Sequence, residues 1–205
     1  MSDIDMNITE NKSEESKGLF ASFLEMIESF VLAIAFVVLI FLFVARLSIV
    51  SGDSMNKTLI NNDYVVVVNL FGTYEPERGD IVVVHGNFEH YDRPLVKRVI
   101  ATGGETIKIN CITREVYVDD VLLNEDYVYY QPGLSFRIPQ TEGGSYSAVT
   151  GIFTATVPEG YVFVMGDNRL NSADSRMAEI GFVPNEFIIG EAVYRISPFS
   201  RMGSI

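Results

Sequence analysis

The sequence predicts a mostly β protein that is preceded by one N-terminal transmembrane helix. One long apolar run lies near the N-terminus. Beyond it, short runs rich in Val, Ile, Tyr and Phe alternate with Gly, Asn, Asp and Pro. Such short runs between turn-forming residues are typical of strands. With 48% hydrophobic residues, the chain also has enough apolar side chains to fold around a core.

Residues 30–45 form the apolar run, FVLAIAFVVLIFLFVA, which contains no polar side chain. Together with its flanks it reaches the roughly 20 apolar residues that a helix needs to cross a bilayer. Arg46 follows the run, and a long cationic side chain can reach the interface from a helix end. A surface-packed helix of a soluble protein would instead carry polar positions at a period of 3.6 residues. We therefore predict a transmembrane anchor over residues 18–50.

A cleaved signal peptide is the other interpretation of this run, but its leader is normally basic and its cleavage site has small residues. Residues 1–28 hold two lysines against seven acidic residues, and no Ala-x-Ala follows the run. An uncleaved anchor fits better, with residues 1–17 as a disordered polar tail. The two lysines before the run balance Arg46 and Lys57 after it, so charge alone leaves the orientation open.

The predicted strands follow in order along the rest of the chain. They are Tyr64–Leu70, Ile81–His85, Leu95–Ala101, Thr106–Asn110, Glu115–Val118, Tyr161–Met165 and Ile188–Ile196. The segment 131–151 is rich in Gly, Pro, Ser and Thr, which indicates a long surface loop or an irregular insert.

Composition excludes several classes of function. The net charge of -12, from 27 acidic against 15 basic residues, argues against a partner that is a nucleic acid. One cysteine excludes an intramolecular disulfide framework, and with only two histidines it excludes a Cys/His zinc module. We expect no metal site and no organic cofactor.

Ser54 and Lys97 are the side chains whose surroundings point to chemistry. Ser54 follows Gly52 in a turn, where a hydroxyl can lie next to backbone N–H groups, although the segment is also consistent with a simple turn. In a strand, alternation places Lys97 on the apolar face of Leu95 and Val99, where desolvation would lower the pKa of its amine. The competing interpretation is an edge lysine whose head reaches water.

A third polar segment, GDNRLNSADSR at 166–176, follows the strand YVFVM and on composition alone is also consistent with a solvated loop. The order of the three segments behind one anchor resembles that of type I signal peptidases in their short, single-anchor bacterial form. The resemblance also includes Arg78-Gly79-Asp80-Ile81 and Gly103-Gly104-Glu105, and it extends to about Tyr194.

The resemblance implies a role for each matching position. Ser54 is the nucleophile, with its backbone N–H in the oxyanion hole, and Lys97 is the general base that Ser172 orients. The supporting residues around this dyad are Arg98, Asp167, Asn168, Arg169, Asp174 and Arg176. Shallow apolar pockets for small side chains are lined by Val50, Met55, Leu95 and Val96. Two positions depart from the family: Gly52 stands where some members have a serine, and Lys57 where a proline is usual.

The resemblance also implies a fold, a substrate and a location. The fold is an antiparallel, barrel-like catalytic β domain formed by residues 51–105 and 158–205, with a smaller β or loop insert at 106–157. The substrates are exported preproteins with small residues before the cleavage site. The tail would be cytoplasmic, the helix would cross the bacterial cell membrane once, and the β domain would lie outside.

Two other functions remain open at this point. A self-cleaving serine–lysine protease shares the dyad, but that group is cytosolic and carries a DNA-binding segment instead of an anchor. A catalytically silent, membrane-tethered β module that binds exported proteins is the alternative from another class. The joint presence of Ser54, Lys97 and Ser172 argues against the silent module.

Overall fold

The computed structural model describes residues 22–40, 44–69, 74–86, 88 and 93–205. Helix α1 spans Ser22–Ile40 and is long and apolar enough to cross a membrane. A rise of about 1.5 Å per residue gives it a length close to the roughly 30 Å of a bilayer core. The predicted N-terminal apolar helix is therefore confirmed. The predicted tail, 1–17, lies outside the described residues.

The rest of the described chain is mostly β, as the sequence predicts, with two short 3₁₀ helices at Asn185–Phe187 and Phe199–Arg201. In chain order the strands are β1 Ala45–Ile49, β2 Tyr64–Val68, β3 Ile81–Val84, β4 Leu95–Thr102, β5 Thr106–Asn110, β6 Val116–Val118, β7 Val121–Leu122, β8 Ser145–Ser147, β9 Ile152–Thr156, β10 Tyr161–Met165, β11 Val183–Pro184, β12 Ile188–Ser197 and β13 Gly203–Ser204. All seven strands predicted from the sequence are present, with small differences at their ends.

The predicted C-terminal boundary of the anchor, 18–50, is wrong. Strand β1 occupies its last residues and pairs antiparallel with β2 along its whole length, from Ala45 opposite Val68 to Ile49 opposite Tyr64. The chain also divides into two compact units between Val44 and Ala45. The apolar residues Leu47, Ile49 and Val50 suit a strand as well as a helix, and pairing with a distant strand leaves no signal in the local pattern.

The first sheet contains eight antiparallel strands. Seven run in the order β1-β2-β12-β3-β4-β10-β11, and β13 pairs with β12. The register shifts where extra residues interrupt the pairing, in β12 against both of its neighbours and in β4 against β10, where Ile100 is the extra residue. Such bulges bend a strand and increase its twist, which suits the curled, half-barrel form of this sheet. The predicted antiparallel, barrel-like sheet is therefore confirmed.

The second sheet contains five strands in the order β7-β6-β5-β9-β8. All of them lie between 106 and 156, in the stretch for which the sequence predicts an insert. Buried and partly exposed residues alternate along β5 and β9, so one face of this sheet packs on the core. Most of segment 131–151 is irregular, apart from β8.

Among the described residues, three clusters of buried side chains form the core. One joins the two sheets, since it contains Ile107 and Phe153 from the second sheet with Ile100 and Phe163 from the first. Another lies under β3, β4 and β10. The third lies under β2 and β3, and it also takes up Met55, from the loop that follows β1. That loop is therefore part of the core structure.

Replacement of Phe153 by Ala is expected to lower the free energy of unfolding by about 3–5 kcal/mol, because it leaves a cavity at the junction of the two sheets. Phe153 is 1% exposed, whereas Phe199 is 85% exposed. Phe199→Ala is therefore the matched control and should stay within about 0.5 kcal/mol of the wild type. Urea unfolding of the detergent-solubilised protein measures both values. Equal losses in the two variants would contradict the assignment of this core.

Candidate active site

Ser54 lies in the loop between β1 and β2, and two buried side chains hold that loop on the core. Met55 and Leu59 are 1% and 0% exposed, and the Leu59 amide donates to the Met55 carbonyl (2.8 Å) to form one tight turn. The Val50 amide donates to the Asp63 carbonyl (2.9 Å) and closes the loop at its ends. Ser54 is thus fixed at a half-buried position instead of on a mobile surface turn.

The Lys97 amine is next to the Ser54 hydroxyl. Lys97 lies on β4, between Val82 on β3 and the strand β10, and it is 3% exposed. Its Nζ lies 2.9 Å from Ser54 Oγ and donates a hydrogen bond to the Val96 carbonyl (2.8 Å). The structure therefore brings together two side chains that are 43 positions apart.

Burial lowers the pKa of Lys97 from 10.5 to about 8. The negative charges of Asp174 and Asp167 act in the opposite direction and raise this pKa, while the positive charge of Arg176 lowers it further. Desolvation is the dominant effect, because an ammonium that leaves water loses hydration that distant carboxylates do not replace. With this pKa about a tenth of the amine is neutral at pH 7 and can accept a proton, compared with less than about a thousandth for an ordinary lysine.

Arg98, the next residue on β4, forms an ion pair with Asp167. Its Nε and one terminal nitrogen donate to the two carboxylate oxygens of Asp167 (2.9 and 2.8 Å), and the other terminal nitrogen donates to the Gly79 carbonyl (2.7 Å). Such a bidentate pair fixes both side chains in direction as well as distance. The Thr58 hydroxyl also donates to Asp167, which ties the Ser54 loop to the strand that carries Lys97.

Asn168 connects the 166–176 loop to the backbone on both sides of the Ser54 side chain. Its backbone N–H donates to the Ser54 carbonyl (2.9 Å). Its side-chain Nδ2 donates to the Asp53 carbonyl (3.0 Å) and to Gln131 Oε1 (3.1 Å). Because Asn168 is fully buried, these bonds exclude water and hold the serine in place.

Asp174 and Arg176 form a fully buried ion pair with two hydrogen bonds of 2.8 and 2.7 Å. Burial raises the pKa of Asp174, but the Arg176 charge, with its hydrogen bond, and the Gly166 amide, which donates to Oδ2 (3.0 Å), hold the pKa below its ordinary value. Asp174 therefore stays ionised. A Cβ atom on Gly166 would lie 2.4 Å from the Ser54 carbonyl oxygen, so the close approach of the two segments requires glycine here.

Ser172 does not make the hydrogen bond to Lys97 that the family resemblance implies. Its side chain is 8% exposed, and its hydroxyl lies close enough to the Asp174 carboxylate to help lower the pKa of that group. The hydroxyl lies against Gly166, where it would be 2.3 Å from an added Cβ. The amine of Lys97 is held instead by the Val96 carbonyl and Ser54.

A cleft of about 220 Å³ opens beside the Ser54 and Lys97 side chains. The four predicted pocket residues, Val50, Met55, Leu95 and Val96, all line it. Sequence reasoning missed Ser51 and Arg93, which also line the cleft and add polar groups to an otherwise largely apolar wall. Such a concave, largely apolar cleft beside reactive side chains is typical of a binding site.

Arg169 is held by a segment that the sequence left without a role. It is 1% exposed, and both its terminal nitrogens donate to the Glu125 carboxylate, with one of these bonds at 2.9 Å. The Tyr127 ring lies 4.0 Å from the Arg98 guanidinium and 6.0 Å from that of Arg169. The sequence signal for this role was the occurrence of acidic and aromatic residues together in 125–131. No local sequence pattern links those residues to arginines that are distant in the chain.

Within the described residues, no group of three or more His, Cys, Asp or Glu side chains is placed to hold a metal ion. The charged groups at the site are engaged with one another in the pairs Arg98–Asp167, Arg169–Glu125 and Arg176–Asp174. What the arrangement offers is a hydroxyl, an amine of lowered pKa and a cleft, the components of nucleophilic acyl transfer.

Known proteins resemble this chain over most of its length. The family described as "Signal peptidase, peptidase S26" matches residues 23–197. A "Probable signal peptidase I-1" of Synechocystis is 35% identical, with 88% of this chain and 86% of the relative covered. "Signal peptidase I T" of Bacillus subtilis is 33% identical, with 94% of each chain covered. A solved structure of a signal peptidase I from Enterococcus faecalis is 29% identical, covering 58% of this chain and 97% of its own, with a TM-score of 0.43.

The family match includes nearly all of helix α1, the strands β1 to β12 and the loop that contains Ser172. The enzyme class of the relatives is that of serine endopeptidases, which agrees with the hydroxyl and amine at the site. The chain therefore belongs to the signal peptidase family, peptidase S26, and is a serine endopeptidase of that family.

Proposed function

We propose that this chain removes signal peptides from exported preproteins with Ser54 as nucleophile and Lys97 as general base. The observation that carries the proposal is the 2.9 Å contact between Ser54 Oγ and the buried Nζ of Lys97. A serine hydroxyl is a weak nucleophile unless a neighbouring base takes its proton. Lys97 is suited to do so, because its pKa of about 8 leaves part of it neutral near pH 7.

The reaction begins when neutral Lys97 accepts the hydroxyl proton of Ser54 and Oγ attacks the substrate carbonyl. The tetrahedral oxyanion is stabilised by the backbone N–H of Ser54, and with glycine at position 52 a second donor comes from the backbone or from water. Lys97 then gives the proton to the leaving amine, and the C–N bond breaks to leave an acyl-enzyme. A water molecule, deprotonated by Lys97, hydrolyses the ester and restores Ser54.

The supporting residues keep this geometry rigid. Asp167 and Asn168 bind the Ser54 loop, and Asp174 with Arg176 forms the buried layer under Gly166. The hydroxyl of Ser172 lies beside this layer, where it helps to lower the pKa of Asp174, and in this proposal it also orients the Lys97 amine. Each of these residues contributes by holding other groups in place. Groups that are already in position need little rearrangement during the reaction.

The substrate class follows from the cleft and the anchor together. Small residues such as alanine at the first and third positions before the cut suit the narrow apolar walls of Val50, Met55, Leu95 and Val96. Helix α1 would anchor the enzyme in the lipid bilayer of the bacterial cell membrane, where the hydrophobic segment of a signal peptide also lies. Confinement to one membrane raises the effective concentration of substrate. In this proposal the β domain lies on the extracytoplasmic side.

Replacement of Ser54 or Lys97 by Ala is expected to lower the cleavage rate by at least about 1000-fold, because each residue is indispensable to the proton transfer. The measurement incubates detergent-solubilised protein with a preprotein and separates the mature product by gel electrophoresis. Cys111→Ser is the control and should cleave normally, because Cys111 has no part in the proposed mechanism. A silent binding module would show no cleavage by the wild type, and an equally active Ser54→Ala or Lys97→Ala variant would contradict the dyad.

The cleavage rate should depend on pH through Lys97. Its pKa is lowered from 10.5 to about 8, and the neutral form is the active base. The value of kcat/KM is therefore expected to fall about tenfold per pH unit below pH 8 and to level off above it. A peptide substrate without titratable groups near the cut, assayed from about pH 6 to 9, gives this profile. A flat profile below pH 8 would contradict the role of Lys97 as a neutral base.

A further inference from the structure

The loop that carries Ser54 is also held at its C-terminal end by a buried carboxylate, Asp63. Asp63 is 1% exposed, and its Oδ2 accepts a hydrogen bond from the Ile60 amide (3.0 Å). Its own amide donates to the Ile60 carbonyl (3.1 Å), and its carbonyl accepts from the Val50 amide (2.9 Å). Asp63 therefore fixes the end of the loop by its backbone as well as by its side chain.

Two arginines near the C-terminus of the chain neutralise this carboxylate. Arg201, at the end of a 3₁₀ helix, donates from a terminal nitrogen to Asp63 Oδ1. Arg195, on β12, places a terminal nitrogen 3.7 Å from Asp63 Oδ2 and donates from Nε to the Arg201 carbonyl. We call Arg195 and Arg201 the C-terminal clamp.

The clamp also contacts the loop directly. The terminal nitrogen of Arg195 donates to the Thr58 carbonyl (2.7 Å), while the Thr58 hydroxyl donates to Asp167 on the side of Lys97. Ile205 packs against the cluster that contains Met55. The loop is therefore held between the Lys97 side, through Asp167, and the C-terminal side, through Arg195.

We propose that Arg195 and Arg201 are positioning residues that, through Thr58 and Asp63, set the distance between Ser54 Oγ and Lys97 Nζ. The inference rests on the proposed Ser54–Lys97 mechanism. A buried carboxylate that loses its cationic partner must find water or a new partner, which moves the backbone that carries it. A displacement of about 1 Å at a reacting atom lowers a rate by about 100-fold.

The first test measures kcat and KM of Arg201→Ala with a signal-peptide substrate. We expect kcat per folded molecule to fall about 10- to 100-fold and KM to stay within about twofold, because the clamp does not line the substrate cleft. Arg201→Lys should recover part of kcat, since a lysine keeps one charge on Asp63 but loses the planar fork. Lys108→Ala is the control, because it removes an ion pair with Asp120 in the second sheet and should cleave normally.

Arg195→Lys is the second variant, because it retains a positive charge near Asp63 and should fold even if Arg201→Ala does not. A lysine cannot reach Thr58, Asp63 and the Arg201 carbonyl together, so kcat should again fall with KM little changed. Circular dichroism gives the folded fraction by which each rate is divided. A merely structural role would lower that fraction and leave kcat per folded molecule unchanged in both variants, and this result would overturn the proposal.

The same assay separates this inference from the proposed function. If Ser54→Ala is inactive while both clamp variants cleave like the wild type, the positioning role fails and the dyad stands. If Ser54→Ala cleaves normally, the dyad itself fails, and the clamp has no reaction to position.

Discussion

The burial of one lysine amine against one serine hydroxyl is the constraint on which the rest of the site depends. Lys97 is 3% exposed and its Nζ lies 2.9 Å from Ser54 Oγ. Burial favours the neutral amine, and this is why the same side chain can be a base near neutral pH. An exposed lysine at the same distance would stay protonated and could not accept the serine proton.

A buried amine can stay in place only if the neighbouring backbone is rigid, and the fold supplies this rigidity from three directions. Strands β3 and β10 flank β4, the Asp167 and Asn168 contacts hold the Ser54 loop from the side of Lys97, and Asp63 holds it at its C-terminal end. The buried carboxylates around the site, Asp167, Asp174 and Asp63, each have an arginine partner. They therefore hold the backbone without leaving an isolated charge in the core. The distance between the Ser54 hydroxyl and the Lys97 amine therefore depends on the packing of the whole sheet.

Local patterns in the sequence predict the helix and seven of the strands, because apolar runs and β-branched runs are local signals. They do not predict β1, whose partner β2 begins 15 residues beyond the end of that strand. The site residues came from the resemblance of whole segments, and no periodicity joins Arg169 to Glu125, 44 positions away. The structure also leaves Ser172 without the bond to Lys97 that the resemblance implies, because a rotatable hydroxyl is not fixed by its position in the chain.

The ionisation of Lys97 tests the central claim more directly than any rate, because it reports on the amine without assuming a mechanism. Nuclear magnetic resonance of protein labelled with ¹³C at the lysine ε-carbon follows each amine through its titration, and Lys97→Met identifies the resonance. The account predicts that this resonance titrates with a pKa of about 8, well below the ordinary lysine value of 10.5. A Lys97 resonance that titrates near 10.5 would show a solvated ammonium and contradict the account.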